Sequence, residues 1–213
     1  MHDTANASGS LFGSIYGKKN FKVLDIGGQD VNGTLRHIFE AQGMLYTTID
    51  IAKHSSVDVV MNPGDSLPFQ DDSFDLIIST SCFEHDPCFW LTFREMCRVV
   101  KTNGFMYVSS PSNGVYHEFP GDNWRFYSDA GQALAYWSGK TFDGKSWPVK
   151  VVETFHVMPK DDIWVDYVCI WQRTTETQTR IVLSSELKQS VGLLRQALHE
   201  NGYTTKVIFE APK

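Results

Sequence analysis

The chain of 213 residues contains no run of about 18 apolar residues, so no segment is expected to cross a bilayer as a helix. Its opening, MHDTANASGS, has no basic segment followed by an apolar one, and so is not read as a secretory signal. No block of Lys and Arg occurs; Lys18-Lys19 is only a pair, and the formal net charge is −6. Binding to nucleic acid through phosphate neutralisation is therefore not expected. The four cysteines, Cys82, Cys88, Cys97 and Cys169, form no CxxC pair, and no His stands at zinc-finger spacing. They are expected to be reduced and packed, which fits a reducing compartment such as the cytoplasm. Asp71-Asp72 and Asp161-Asp162 are acid pairs without further ligands, so no metal site is expected. There is no internal repeat and no low-complexity tract. Apolar residues at 42% and charged residues at 21% leave an ordinary globular chain, long enough for one full core.

What is there has a clear rhythm. Short apolar or β-branched runs alternate with helix-like segments. Strands are expected over residues 22–26, 45–51, 57–61, 74–80 and 105–109, with a short helix over 34–42 stopped by Gly43. Asp86-Pro87 is expected to open a second helix, as an N-cap acid followed by proline in the first turn. Phe89, Trp90, Phe93, Met96, Cys97 and Val100 then fall close to helical spacing on one face, and Asn103-Gly104 supplies a left-handed stop. Residues 149–157 and 166–173 read as two late strands with no helix between them, hence an antiparallel hairpin at one edge. Residues 184–200 read as an amphipathic helix with Leu187, Val191, Leu194 and Leu198 in one stripe. The alternation predicts an α/β fold: a mostly parallel sheet with helices on both faces. The expected organisation is a polar extension over 1–19, a main domain over 20–175, and an accessory helix and strand over 176–213. Within the main domain, the Gly-, Pro- and Asp-rich region 111–148 is the longest irregular stretch and reads as an insert or lid.

The first strand ends in VLDIGGQDVNG, and the glycines raise the question of a ligand. Neither the GxGxxG spacing of dinucleotide folds nor a GxxxxGK[ST] phosphate loop is present; the glycines are Gly27, Gly28 and Gly33. The turn is also acidic, with Asp25 at the strand end and Asp30 inside it. Carboxylates there oppose a pyrophosphate but suit a ligand carrying an ammonium and a sulfonium. Asp50, at the end of the second strand, is placed to take both hydroxyls of a ribose, a role that serves NAD and S-adenosylmethionine alike. Asp65, with Ser66 and Leu67 beside it, is placed to accept from an adenine amino group while the apolar neighbour packs on the ring.

These segments, VLDIGG at 23–28, TTIDI at 47–51, DSLPFQDDSFDLIIST at 65–80 and FEHDPCFWLTFREMCRVVKTNGFMYVSSP at 83–111, resemble the class I S-adenosylmethionine-dependent methyltransferases of the methyltransferase type 11 kind. The resemblance covers roughly residues 20–175. It implies a Rossmann-like sheet of seven strands with the last antiparallel. It implies S-adenosyl-L-methionine as cofactor, held by Asp25, Gly27, Gly28, Asp30, Asp50, Ile51, Asp65, Ser66, Leu67, Thr80 and Phe83. Two departures stand out: the loop reads GGQDVNG instead of GxGxG, and so few residues separate Asp50 from Asp65 that the usual helix between them must be short or missing. DVNGTLR and HEFPGDNWRFYSDAGQAL, at 117–134, resemble methyltransferase-like proteins of glycan and surface-polysaccharide contexts.

A hydroxyl acceptor gains from a base, and His is the natural one near neutral pH. His85 follows the fourth strand and His117 the fifth; Glu84 or Asp122 is placed to orient either. Tyr116, Glu84, Asp122, Trp124 and Arg125 are the expected acceptor-binding residues, because aromatic faces beside polar groups suit a sugar ring. Locking of the loop by an Asp122–Arg125 pair is the competing reading. The expected function is O-methyl transfer to a sugar hydroxyl of a glycan. A small-metabolite methyltransferase and a non-catalytic binding module are the alternatives, and an NAD-dependent reductase is least favoured.

Overall fold

The computed structural model describes residues 3–31, 33–141, 144–160, 163–182 and 192–207. The chain runs α1 (Asp3–Tyr16), β1 (Lys22–Ile26), α2 (Arg36–Ala41), β2 (Leu45–Asp50), β3 (Val59–Val60), β4 (Phe74–Thr80), α3 (Phe89–Val99), β5 (Val100–Pro111), α4 (Ala130–Ser138), β6 (Val149–Met158), β7 (Asp166–Arg173), α5 (Leu193–Glu200) and β8 (Thr204–Lys206). Eight strands form one sheet in the order β3-β2-β1-β4-β5-β7-β6-β8. The first five are parallel. β7 inserts antiparallel between β5 and β6. The expected late hairpin is therefore present, but β8 pairs antiparallel with β6 and so takes the edge as an eighth strand.

The sheet is buried on both faces, and alternation along each strand decides which helices a residue meets. Leu24, Ile77, Met106, Cys169 and Trp171 join Phe93, Met96 and Cys97 of α3 and Leu134 and Ala135 of α4. Val23, Leu76, Ile78, Tyr107, Val168 and Ile170 face the other way, toward Phe12 of α1, Leu35, Phe39 of α2, and Leu194 and Leu198 of α5. At about 25 cal/mol per Å² of apolar area, this two-sided burial is the main source of stability.

Several expectations are corrected. α3 begins at Phe89, past Asp86, whose Oδ1 accepts from the Cys88 amide at 2.8 Å and whose Oδ2 accepts from Thr92 Oγ1. Asp86 thus closes the turn that precedes the helix instead of capping it directly. Trp90 lies outside the buried stripe, 37% exposed. No helix separates β2 from β3; its place is taken by Arg36, which donates to Thr48 Oγ1, the Ser56 carbonyl and Asp58 Oδ2. Region 111–148 is not wholly irregular, since it contains α4. The expected helix over 184–200 is observed from Leu193; residues 183–191 lie outside the described residues. Among the described residues no helix is long and apolar enough to cross a membrane.

Residues 3–16, read from sequence as part of a polar extension, form a helix whose Phe12 is fully buried. Its face is built from small residues, Thr4, Ala5, Ser8, Gly9 and Gly13, and so carries no strong apolar period. A Cβ at Gly9 would meet Leu35 at 2.5 Å, and one at Gly13 would meet Phe39 at 2.8 Å. Close approach to α2 is what those glycines permit. Across the same layer, Glu153 of β6 supplies the cap that α5 lacks in its own sequence: its oxygens accept from the amides of Leu194 at 3.0 Å and Arg195 at 3.1 Å, and from Tyr16 Oη at 3.1 Å. A carboxylate at a helix N-terminus satisfies orphan amides and complements the helix dipole. Glu153→Ala is expected to cost about 1–3 kcal/mol, because it strands buried donors. Urea denaturation checks this; an unchanged midpoint contradicts it.

Candidate functional site

Parallel strands end together, so whatever follows their carboxyl ends is gathered at one rim. The strand order reverses between β1 and β4, and this switch point is where open α/β sheets hold ligands. A cleft of about 800 Å³ opens there. It has two halves, one below the glycine turn and one under the segment that follows β5.

In the first half, Asp25, Gly27, Gly28, Asp50, Ile51, Asp65, Leu67 and Thr80 line the wall. The Gly27 and Gly28 amides donate to the Ile49 carbonyl at 2.9 and 3.1 Å, which ties the end of β1 to the end of β2. Gly27 has φ +76°, and a Cβ there would meet Cys82 Sγ at 2.5 Å. A Cβ at Gly28 would stand 2.5 Å from Asp25 Oδ2. Glycine at both positions is thus a condition for the acid and the turn to share this space. Asp50 Oδ2 accepts from the Gln29 amide at 3.1 Å and Oδ1 from the Ala52 amide at 3.2 Å. A carboxylate offers about four acceptor sites, so capacity is left for two hydroxyls of a ribose. Asp25 is buried; Tyr46 Oη donates to its Oδ2 at 2.8 Å, and no donor reaches Oδ1 among the described residues. Burial pushes its carboxyl up to about 7, against the Tyr46 hydrogen bond. An unpartnered acid lining a cleft suits a cationic guest. Asp65 closes its own turn by accepting from the Asn62 amide and side chain. The next stretch is pinned to α3: the Leu67 amide donates to Glu95, and Arg98 donates to the carbonyls of Leu67 and Phe69 and to Asp71.

The second half brings together Glu84, His85 and His117, with Glu118, Phe119 and Pro120 above them. The Glu84 carbonyl accepts from the amides of Asn123 and Trp124, and this seats the segment after β5 on the loop after β4. Its side chain is fully buried, and burial pushes the carboxyl up to about 8. His85 Nδ1 meets the Gly121 carbonyl, so Nδ1 carries the proton and Nε2 is left as a lone pair, 3.6 Å from Glu84 Oε1. Burial lowers the tendency of His85 to take a second proton. The His117 ring meets that of His85 edge to face, with centroids 4.8 Å apart.

The other expected site residues do not line this cleft. Asp30 holds the turn, accepting from the Gly33 amide while its own amide donates to Ser56 Oγ. Ser66 is exposed outside it, and Phe83 is buried against Phe89 and Phe126. Asp122 and Arg125 form a two-point ion pair, and Arg125 donates further to the carbonyls of Asn113, Val115 and Trp124. They lock the lid. Asp122 also accepts from the His117 amide at 2.9 Å and so fixes that residue's backbone. Tyr116 is 68% exposed and donates to Glu118. Trp124 donates to the Asp86 carbonyl at 2.9 Å and meets Phe89 and Trp90 edge to face in a separate aromatic hollow.

Residues not foreseen also line the cleft, notably Ser81 and Cys82 directly after β4. Ser81 has φ +49°, unusual for a residue with a side chain, and its amide donates to the Ser109 carbonyl at 2.9 Å. Nothing in its residue type signals that conformation. Tyr46 was also missed, because alternation along β2 says only that it is buried.

Residues 24–108 match the sequence model of the methyltransferase domain family. Three solved structures illustrate the likeness in fold. The Burkholderia thailandensis 1,6-didemethyltoxoflavin-N1-methyltransferase, bound to 1,6-didemethyltoxoflavin and S-adenosylhomocysteine, superposes with a TM-score of 0.61 at 16% identity, over 81% of this chain and 80% of that one. The Haemonchus contortus phosphoethanolamine N-methyltransferase 1, in complex with phosphoethanolamine and S-adenosylhomocysteine, gives 0.58 at 12% identity, over 93% of this chain and 48% of that one. The [4+2]-cyclase SpnF gives 0.58 at 11% identity, over 80% of each chain. No curated protein matches the chain significantly. At these identities the likeness is one of fold, and it spans proteins named for different reactions.

Asp25 gives a test that needs no ligand. Its folded carboxyl titrates near 7, above an unfolded value of about 3.9. Between those values the folded state holds a proton that the unfolded state has lost, so this group lowers stability as pH rises through that window. Asp25→Asn removes the loss. The variant is expected to gain melting temperature over the parent at pH 8 and little at pH 4; an equal shift at both pH values contradicts the assignment.

Proposed function

We propose that the chain is an S-adenosylmethionine-dependent methyltransferase that acts on a sugar hydroxyl of a glycan. The observation that carries the first half is the acidic glycine turn at the switch point: Asp25 unpartnered on one oxygen, and Asp50 with acceptor capacity left. The family match over residues 24–108 supports it independently. The donor and acceptor set fits the cofactor. Asp50 takes the ribose hydroxyls, Asp65 the adenine amino group with Leu67 beside the ring, and Asp25 the methionine ammonium. When bound, S-adenosylmethionine supplies a methyl group on a positively charged sulfur, already activated for displacement. The protein's task is then mainly alignment, which can be worth about 7–11 kcal/mol. His85 and His117 face the acceptor and manage the proton of its hydroxyl, with Glu84 beside them. The lid, locked by Asp122 and Arg125, limits water above them.

The glycan rests on aromatic placement. Phe89, Trp90, Trp124, Tyr127 and Trp137 line a hollow on the far side of the segment holding Trp124. Trp124 hydrogen-bonds to Asp86, which itself lines the cleft, so the hollow adjoins it. Rings of sugars beyond the reacting one have aromatic faces to lie against there.

Calorimetry with S-adenosylmethionine tests the cofactor. Binding is expected, with a loss of at least about tenfold in Asp50→Ala, equal to roughly 1.4 kcal/mol. No heat from the parent, or no loss in the variant, removes the reading. With labelled methyl donor, transfer to oligosaccharides is expected, and Trp90→Ala is expected to raise KM for an oligosaccharide while leaving that for a monosaccharide unchanged. Transfer only to small amines or acids rejects the acceptor.

A further inference from the structure

The acceptor half of the cleft holds a group of side chains whose composition is unusual for a site that only positions a hydroxyl. One ligand atom from each of Glu84, His85 and His117 lies within 4.8 Å of the other two. We propose that these three residues hold a divalent transition-metal ion, with Zn2+ as the best match, and that open positions on the ion face the cleft to take an oxygen of the acceptor. The inference deepens the methyl-transfer reading of this cleft, but its binding test stands apart from it.

Three observations carry it. First, the Glu84 side chain is fully buried, and neither carboxylate oxygen accepts a hydrogen bond of ordinary geometry among the described residues. Burial outweighs the two polar groups that favour its charged form, the Glu84 amide and the Ser110 hydroxyl. A buried acid so weakly partnered is costly, and an ion supplies a stronger partner. Second, the His85 ring is oriented as metal-bound imidazoles are. Nδ1–H is held by the Gly121 carbonyl, which fixes the tautomer and leaves Nε2 free to coordinate. Third, His85 Nε2 and Glu84 Oε1 stand 3.6 Å apart. Two ligands on a tetrahedral ion with bonds of about 2.1 Å stand about 3.4 Å apart, so this pair is close to the geometry an ion imposes. Closing the widest separation in the group, 4.8 Å, to that spacing takes a movement of roughly 1.4 Å, toward which rotation about the His117 side-chain bonds contributes.

The charges around the group allow an ion. Arg125 reaches to 3.5 Å from His117 Nδ1, but its guanidinium is paired with the Asp122 carboxylate. Asp122 Oδ2 lies 3.3 Å from His117 Nδ1 and keeps a negative charge beside that ring. Two imidazoles and one carboxylate select Zn2+ and its first-row neighbours over Mg2+ and Ca2+, which prefer oxygen ligands. An acceptor hydroxyl bound to such an ion loses its proton to water more readily. Its oxygen then forms the new bond to the methyl carbon, and the carbon–sulfur electron pair stays on sulfur.

The test uses tag-free, chelator-stripped protein and measures Zn2+ uptake by calorimetry and Co2+ uptake by visible absorption. One Zn2+ per chain is expected, with affinity reduced at least tenfold in Glu84→Gln and in His117→Gln, and with millimolar Mg2+ unable to displace it. S-adenosylhomocysteine affinity, measured on the same samples, is expected to be unchanged, and this shows that the variants are folded. Failure of the parent to take up Zn2+, or equal uptake by parent and variants, overturns the site. If S-adenosylhomocysteine still binds in that case, only the metal inference falls. Zn2+ uptake that depends on Glu84 and His117, with no nucleoside bound, supports the ion site and removes the cofactor reading instead.

Discussion

Two carboxylates share one glycine turn, and the rest of the cleft is arranged around keeping both there. Asp25 and Asp50 end or border adjacent parallel strands, and the register that pairs Ile26 with Ile49 sets them at the same rim. Their mutual repulsion is part of what raises Asp25, though burial contributes more. The protein spends only some of its donors on them. Tyr46 serves one oxygen of Asp25, and two backbone amides serve Asp50. What is left over is carboxylate acceptor capacity beside the glycine turn, at the point where the strand order turns. A pyrophosphate would meet repulsion there. A nucleoside with hydroxyls and a cationic tail would meet partners.

The second half of the cleft depends on the first through short connections. β4 delivers Thr80 to the first half, and a few residues later the chain delivers Glu84 and His85 to the second, with Ser81 in a left-handed turn between them. The lid closes on the same loop. Asn123 and Trp124 donate to the Glu84 carbonyl, and Asn123 Nδ2 donates to the His85 carbonyl at 2.7 Å. The His117 and His85 rings meet edge to face in the same segment that the Asp122–Arg125 pair ties together. The lid residues therefore act through geometry, without themselves lining the cleft.

How much of this could be read beforehand depends on whether a residue's role is local. Strand ends marked by acids, a glycine pair after β1, and the shortness of the Asp50–Asp65 connection are all local, and each is visible in the linear order. The missing helix between β2 and β3 follows from that shortness. What replaces it does not: Arg36 comes from α2, and nothing near it in sequence announces three partners across the sheet edge. α1 hides because its buried face is small and polar, so burial leaves no apolar stripe. Trp124 and Arg125 look like ligand contacts by residue type, yet backbone carbonyls and Asp122 use up their donors. Glu84 is the opposite case. Its place beside His85 is visible in the sequence, and the fold adds that its side chain is fully buried.

The account stands or falls on the sign of charge that the glycine turn accepts. Crystals soaked together in S-adenosylmethionine and NADH measure this directly. The account predicts density for the methionine nucleoside alone, with its ribose on Asp50 and its ammonium toward Asp25. Density for the dinucleotide, with a pyrophosphate against Gly27 and Gly28, would contradict it.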